Sequence, residues 1–246
     1  MSVTPDLRQR VALVTGGSRG IGRAVALALA QSGADVAVNY RERALEAKAV
    51  CETIRAQGRR SVALAADVSR ADAVAALVRA AQDTLGPIDV LINNAGIALV
   101  RGVDDLTEAD FDHTMAVNLK SAFLCIQAVL PGMRARGWGR IVNISSGAAR
   151  GAGAIGPHYN ASKAALEGLT RGYAARLVKH GITVNAVSPS LIDTEMIGLD
   201  KEGLAARIPL GRLGTPQEVA QAVLMVVGNA YMTGQAIQLN GGMSFQ

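Results

Sequence analysis

Aromatic residues make up only 3% of these 246 positions, and the chain has just two cysteines. So few aromatics exclude the stacking platforms on which single-stranded nucleic acids are held. The cysteines, Cys51 and Cys125, lie in helix-like segments without CxxC spacing. That excludes a disulfide framework and points to two small apolar side chains in a reducing compartment. Charge is also sparse, at 18%. The formal net charge is +5, yet no basic run is longer than Arg59-Arg60 and acidic residues are interspersed throughout. A scattered excess of this kind forms a solvated surface, so no nucleic-acid partner is expected. The histidines His113, His158 and His180 lack metal-ligand spacing, and no metal site is expected. The first ten residues contain no apolar signal core, and uninterrupted apolar runs fall short of the ~18 residues a membrane span needs. The expectation is a cytoplasmic protein that makes no use of a membrane.

What the chain does have is hydrophobic bulk, 50% of its residues, and 27 glycines. Glycine stands at about 11% against a usual ~7%. A chain of this length buries roughly 70–75% of its unfolded surface, enough to fold without staples. Short β-branched runs occur at Val11–Thr15, Asp35–Asn39, Ser61–Ala65, Val90–Asn93, Ile141–Ser145, Thr183–Ser188 and Ala236–Leu239. Helical periodicity fills the intervals at Ile21–Ser32, Arg43–Gln57, Ala71–Leu85, Glu108–Arg136, His158–His180 and Pro216–Val227. The strands read as nearly continuous apolar runs, the mark of a parallel sheet covered on both faces. Thr215-Pro216-Gln217-Glu218 has the form of a capping box with proline at N1. Thr107 and Asp110 similarly open the long helix, and Gly33, Gly58, Gly86 and Gly181 stand where helices should stop. Right-handed βαβ units follow, and with them an α/β fold: a doubly wound Rossmann fold with a parallel seven-stranded sheet and helices on both faces. No linker or composition break divides the chain, so residues 1–246 are expected to form one domain. Residues 190–214 form the longest stretch without a period, and such stretches in compact domains are commonly substrate loops.

The first strand runs into Thr15-Gly16-Gly17-Ser18-Arg19-Gly20-Ile21-Gly22 and then into a helix. Glycines in that place let backbone approach a diphosphate, whose charge the N–H groups and dipole of the helix N-terminus then bind. The spacing differs from the ordinary G-x-G-x-x-G. NAD-binding folds usually carry an acidic residue ~20 positions on, at the end of strand two. Here that strand ends Asn39-Tyr40-Arg41. A carboxylate would repel a 2′-phosphate and Asn39 would not, while Arg19 and Arg41 offer it charge-assisted hydrogen bonds. NADP(H) is therefore favoured over NAD(H).

Asp67-Val68, Asn94-Ala95-Gly96 and Ser145-Ser146 follow strands three, four and five, where ligands of doubly wound sheets bind. Tyr159 and Lys163 open a helix four residues apart, with Cβ atoms about 5–6 Å apart on one face. An ammonium ~4 Å from a phenol favours phenolate by up to ~4 kcal/mol at an effective dielectric of ~20, or about three pKa units. That range suits general acid–base work.

TGGSRGIG, DV, NNAG, VNL, NISS, YNASK and MTGQAIQLNGG occur in an order and spacing that resembles the classical short-chain dehydrogenase/reductase family over Val11 to Met243. The resemblance implies Tyr159 as acid/base, Ser146 as hydrogen-bond donor to the substrate carbonyl, and Lys163 holding the nicotinamide ribose and lowering the tyrosine pKa. Asn118 then anchors a water in a proton relay. Ser146 stands thirteen residues before Tyr159, the family's interval, and strand alternation allows only one of Ser145 and Ser146 to face the site. The resemblance also implies cofactor contacts from Gly16, Ser18, Arg19, Gly20 and Ile21, from Asp67 and Val68 at the adenine, and from Asn94, Ala95 and Gly96 along the ribose. Ile192 and Thr194 are expected at the carboxamide.

Within the family, RGWGRIVNISS, IPLGRLGTP and MTGQAIQLNGG look most like the 3-oxoacyl-[acyl-carrier-protein] and acetoacetyl-CoA reductases. The implied reaction is NADPH-dependent reduction of a 3-oxoacyl thioester, with an acyl carrier protein as a partner and a homotetramer as the assembly. Two features depart from that pattern. Ser190 follows Pro189 where the family usually has glycine, and His180, Lys179, Arg134 and Arg136 stand where carrier readers place two arginines. A free ketone, sugar or secondary alcohol suits the same catalytic residues. A catalytically idle NADP(H)-sensing protein is the reading from another class, and an intact Asn118, Ser146, Tyr159 and Lys163 argues against it.

Overall fold

The structure is a computed structural model and describes residues 5–197 and 200–245. Its seven strands are β1 (Val11–Val14), β2 (Asp35–Tyr40), β3 (Ser61–Ala65), β4 (Val90–Asn93), β5 (Gly139–Ile144), β6 (Ile182–Pro189) and β7 (Ala236–Leu239). They form one parallel sheet in the order β3-β2-β1-β4-β5-β6-β7. The Rossmann expectation is met, including the parallel β7. Pairing registers such as Val11 with Asp35 and Ala12 with Val90 bring the ends of β1 and β4 side by side. The chain winds outward from β1 to β3 and then restarts at β4 on the other side of β1. That reversal opens a crevice at the C-terminal ends of β1 and β4.

Strand alternation builds two cores from one sheet. Ala12 and Val14 face one side, where they join Val25 and Leu29 of α1 (Gly20–Gln31), Val50 and Ile54 of α2 (Ala44–Ala56), and Val223 and Val227 of α8 (Pro216–Gly228). Val11 and Leu13 face the other side, with Leu77 of α3 (Ala71–Leu85), Ile126 and Met133 of α5 (Ser121–Arg136), and Leu177 of α6 (Pro157–Leu177). Both expected capping boxes form, at Thr215 with Glu218 and at Thr107 with Asp110.

The periodic stretch Glu108–Arg136 is one continuous but uneven helix: α4 (Glu108–Met115), a π-helical turn at Ala116–Lys120, then α5. By length and composition it suffices to cross a membrane, with an 18-residue window of mean hydropathy 1.3. No uninterrupted apolar run within it is that long, because Lys120, Gln127 and Arg134 break it up. Cys125, Ile126, Val129, Leu130 and Met133 are nonetheless buried on the sheet. The 190–214 segment carries a short α7 (Lys201–Ala206), and residues 198 and 199 within it lie outside the described residues. Trp138 is held between the guanidinium groups of Arg10 and Arg140, 3.9 and 4.4 Å from its ring centre. Both cysteines are buried thiols, and burial pushes Cys125 up to about 12.

Candidate active site

The glycine turn after β1 is braced from below. Thr15 Oγ1 accepts the N–H groups of Asn94 and Ala95, each at 3.0 Å. Asn94 Nδ2 donates back to the carbonyls of Thr15 and Gly16, both at 3.0 Å. Asn39 Oδ1 accepts the Gly16 N–H at 3.2 Å, while its Nδ2 donates to Ala66 O at 3.1 Å. The side chains of Asn39 and Asn94, expected towards the cofactor, therefore turn inward and shape the turn. Gly16 and Gly20 have φ of 61° and 52°, and a Cβ on Gly22 would stand 2.3 Å from Gly16 O. Ser18 is nearly buried and Ile21 packs on the first core. Arg19 is the extended N-cap of α1, with no side-chain cap and no acidic residue in the first turn. The leading N–H groups of α1 thus have no side-chain acceptor among the described residues, which suits an anion.

At the far end of this crevice, Arg41 pairs with its neighbour Glu42. Arg19 instead meets Arg43, a residue the sequence reading passed over. Arg19 Nη1 lies 2.7 Å and Arg43 Nη2 3.3 Å from the same carboxylate oxygen, Glu195 Oε2. Asp67 accepts from the hydroxyl and N–H of Ser69. The hydroxyl contributes most to holding the carboxyl below the usual range, with Arg41 adding a smaller pull. Val68 is 5% exposed beside it.

The catalytic candidates converge between β5 and α6. Ser146 lies near enough to the Tyr159 hydroxyl to lower its pKa, and its Oγ accepts the Ala148 N–H at 3.2 Å, whereas Ser145 turns away and donates to Lys163 O at 3.2 Å. Burial raises the Tyr159 pKa, and the Ser146 contact opposes that rise. Lys163 Nζ donates to Ile144 O at 2.9 Å and lies 5.7 Å from the Tyr159 ring centre. Burial lowers the Lys163 pKa to about 8. The expected dominance of the ammonium over the phenol does not appear, because both groups are desolvated and the lysine is spent on a backbone carbonyl.

Asn118 sits in the π-helical turn, 2% exposed. Its Oδ1 accepts the Ile97 N–H at 2.8 Å, and its Nδ2 donates to Ile97 O at 3.0 Å and to Ser162 Oγ at 3.1 Å. The side chain is fully engaged in tying the β4 loop to α6. A Cβ on Gly96 would meet Asn118 Oδ1 at 3.3 Å and Lys163 Nζ at 3.6 Å. Glycine there keeps open the space beside the lysine.

Contacts from α6 and β6 that the sequence did not reveal fix the loop that bears Ser146. Buried Glu167 on α6 accepts from Arg150 Nε at 3.0 Å and from Ser188 Oγ at 2.8 Å. His158 is fully buried, with Nε2 2.9 Å from Leu99 O, and pins the β4 loop to the start of α6. Ile192 bridges Gly214, and the Thr194 methyl would be 3.5 Å from a Cβ on Gly20, so both border the crevice. Ser190 Oγ donates to Met243 Sδ at 3.3 Å, and its Cβ would lie 3.4 Å from a Cβ on Gly147. Arg134 and Arg136 end α5, and Lys179 and His180 close the α6 segment, all before their strands begin. They stand at the opposite end of β5 and β6 from Ser146, and Arg136 is taken up by Ile88 O and Asp89. Among the described residues, no group of three or more His, Cys, Asp or Glu is placed to hold a metal ion.

A family model described as enoyl-(acyl carrier protein) reductase matches residues 16–244. A 3-oxoacyl-[acyl-carrier-protein] reductase of Staphylococcus aureus is 42% identical over 242 residues, covering 94% of this chain and 97% of that one. Among solved structures, a blue fluorescent protein from a metagenomic library in complex with NADPH superposes with a TM-score of 0.92 at 40% identity, covering 98% of this chain and 100% of that one. A short-chain dehydrogenase from Burkholderia cenocepacia in complex with NADP gives a TM-score of 0.90 at 40% identity, covering 97% and 99%.

Proposed function

The chain belongs to the short-chain dehydrogenase/reductase family of oxidoreductases, and from that premise we propose that it uses NADPH to reduce the ketone of a 3-oxoacyl thioester. One observation carries the reading: Ser146, Tyr159 and Lys163 meet beside the gap that Gly96 leaves open. Support for the thioester comes from the 3-oxoacyl-[acyl-carrier-protein] reductase similar over nearly the whole chain, and for NADP from the NADP- and NADPH-bound structural neighbours.

The residues fit a dinucleotide. The uncapped α1 N-terminus with Gly16, Ser18, Gly20 and Ile21 receives the diphosphate. Arg19 and Arg43 receive the 2′-phosphate, and Asn39 contributes by keeping that corner uncharged. Asp67 and Val68 border the adenine. Asn94, Ala95 and Gly96 line the ribose side through their backbone, and Tyr159 and Lys163 complete it. Ile192 and Thr194 hold the carboxamide. When bound, the cofactor supplies the hydride.

The protein's own part is proton and charge handling. Tyr159, kept protonated at neutral pH by burial, donates its proton to the developing alkoxide oxygen. Ser146 donates a hydrogen bond to the same oxygen. Lys163 in its charged form stabilises the phenolate left behind. Asn118 Oδ1 and Nδ2 are both occupied, so any water it places in a relay rests on its main-chain carbonyl. The 190–214 segment serves as the substrate loop of the single 1–246 domain, and Ser190 narrows its floor.

Acyl carrier protein is the proposed macromolecular partner. The apolar groove lined by Met115, Leu119, Phe123 and Leu169, with exposed Phe111 close by in α4, supports assembly as a homotetramer. The test follows NADPH absorbance with acetoacetyl-CoA, a 3-oxoacyl carrier protein, simple ketones and sugars. Turnover of the two thioesters is expected, the carrier-bound form with the lower KM. Turnover confined to ketones or sugars overturns the substrate assignment.

A further inference from the structure

Glu167 stands one turn beyond Lys163 and two beyond Tyr159 on α6, so the three side chains share one face of the helix. All three are buried, Glu167 at 4% exposure. A buried carboxylate is costly unless partners satisfy it, and Glu167 divides its two oxygens between two elements of the site. Oε2 accepts from Arg150 Nε at 3.0 Å, and Oε1 accepts from Ser188 Oγ at 2.8 Å. Arg150 ends the turn that Ser146 opens. Ser188 lies two residues before Ser190, whose Cβ is 3.4 Å from where a Cβ on Gly147 would stand. The loop after Ser146 and the end of β6 therefore meet beside Ser146, and one carboxylate fastens both. We propose that Glu167 is a positioning residue for the reduction: by holding Arg150 and Ser188 it fixes the Ser146 hydroxyl against the tyrosine–lysine face of α6. The proposal rests on the reductase reading above, in which Ser146 donates to the carbonyl oxygen.

The constraint reaches Ser146 by a short path. Between Ser146 and Arg150 lies one tight turn, Gly147–Ala149, in which the Ala149 N–H donates to Ser146 O at 2.9 Å and the Arg150 N–H to Gly147 O at 3.2 Å. On the other side, Ser145 Oγ donates to Lys163 O at 3.2 Å. Ser146 is thus tied to α6 from both directions, by a main-chain carbonyl before it and by the Glu167 carboxylate after it. Cutting the second tie leaves the first, so the turn shifts without detaching. A misplacement of about 1 Å at a reacting group can lower the rate by about 10²-fold. The diphosphate turn lies at the ends of other strands, β1 and β4, so cofactor binding does not depend on this tie.

The test uses Glu167→Met, which keeps the length and removes both acceptors, and Glu167→Gln, which keeps an acceptor without the charge. Each is made in the full chain, alone and together with Ser146→Ala, and is followed with acetoacetyl-CoA and NADPH. Glu167→Met is expected to lower kcat by about ten- to a hundredfold and Glu167→Gln by less, with NADPH binding unchanged. In the Ser146→Ala background, Glu167→Met is expected to lower kcat by no more than about twofold further, because the residue it positions is already gone. Equal losses with and without Ser146, or NADPH binding lost in step with turnover, overturn the proposal in favour of a general packing role. So does a kcat that neither Glu167 variant changes. If Glu167→Met does not fold, Arg150→Ala takes its place in the same cycle, and losses that simply multiply with those of Ser146→Ala overturn the proposal. A parent that does not reduce the thioester overturns the substrate reading itself. A parent that Ser146→Ala and Tyr159→Phe disable but the Glu167 variants do not overturns only the positioning role.

Discussion

Lys163 Nζ lies 5.7 Å from the centre of the Tyr159 ring while it donates to the Ile144 carbonyl at 2.9 Å. Both side chains are almost fully enclosed, Tyr159 at 8% and Lys163 at 5% exposure. Burial works in opposite directions on the two: it disfavours the phenolate, raising the tyrosine, and disfavours the ammonium, lowering the lysine. With the lysine at about 8 and the tyrosine above its usual value, the phenol is neutral and the ammonium still charged at neutral pH, the pairing that the proposed reduction requires.

Tyr159→Phe removes that proton and leaves the ring's packing in place. Turnover is expected to fall by at least about 10²–10⁴-fold with cofactor binding retained. Ser146→Ala, which deletes one donor to the carbonyl oxygen, is expected to cost about 10²–10³-fold in kcat. Steady-state kinetics alongside cofactor titration separates chemistry from folding. A Tyr159→Phe enzyme as active as its parent would refute the assignment.

Lys163 also makes stability depend on pH. Its folded pKa of about 8 lies below the usual 10.5 of a lysine, so between those values the unfolded chain binds more protons and stability rises with pH. The penalty for the buried charge is complete below pH 8 and fades as pH approaches 10.5. Lys163→Met is expected to exceed the cofactor-free parent at pH 7 by on the order of 3 kcal/mol, with the gap shrinking towards pH 10. Chemical denaturation of both proteins across that range measures it. A gap independent of pH contradicts the burial argument.

Gly22→Ala forces a methyl to within 2.3 Å of Gly16 O and 2.5 Å of Asn94 Nδ2, in a turn braced from three sides. Backbone has to move, and a loss of about 3 kcal/mol is expected, at the upper end for overpacking. The urea midpoint reports the stability, and NADPH titration should show binding lost together with the turn. An alanine protein of parental stability would mean that the turn yields more easily than its hydrogen bonds indicate.

Arg43→Ala is expected to weaken NADPH by about ten- to a hundredfold and leave NADH nearly unaffected, the size of a lost hydrogen bond between charged groups. Arg41→Ala should do less, because Arg41 is turned to Glu42, whereas Arg43, which also pairs with Glu46 at 3.3 Å, reaches the corner beside Arg19. Binding titrations with both cofactors rank the two arginines. An Arg41 effect larger than that of Arg43 would restore the simpler reading of the β2 end.

The alternation of apolar runs and helical periods, the glycine turn and the Tyr159–Lys163 spacing were all legible in the sequence. Each rests on neighbours within a few residues, where the 2.0 and 3.6 periodicities and backbone sterics act directly. Ser145 and Ser146 were separable in the same way, because the backbone stays extended past the end of β5 at Ile144 and sends the two side chains to opposite faces. Contacts across the fold were not legible. The arginine that joins Arg19 is Arg43 and not Arg41, because the chain leaves β2 at Tyr40 and period two no longer dictates direction. Asn39 and Asn94 turned to bracing the glycine turn because buried backbone N–H and carbonyl groups there needed partners. Glu195 meets Arg19 across 176 residues of sequence, and Glu167 meets Arg150 and Ser188 from another element, only through tertiary closure. The sequence by itself thus determined the sheet, the turn and the placing of Tyr159 and Lys163 on one helix face, all products of local geometry. Tertiary structure decided the electrostatics of the site, because burial and long-range pairing, and not residue identity, set where each charge rests.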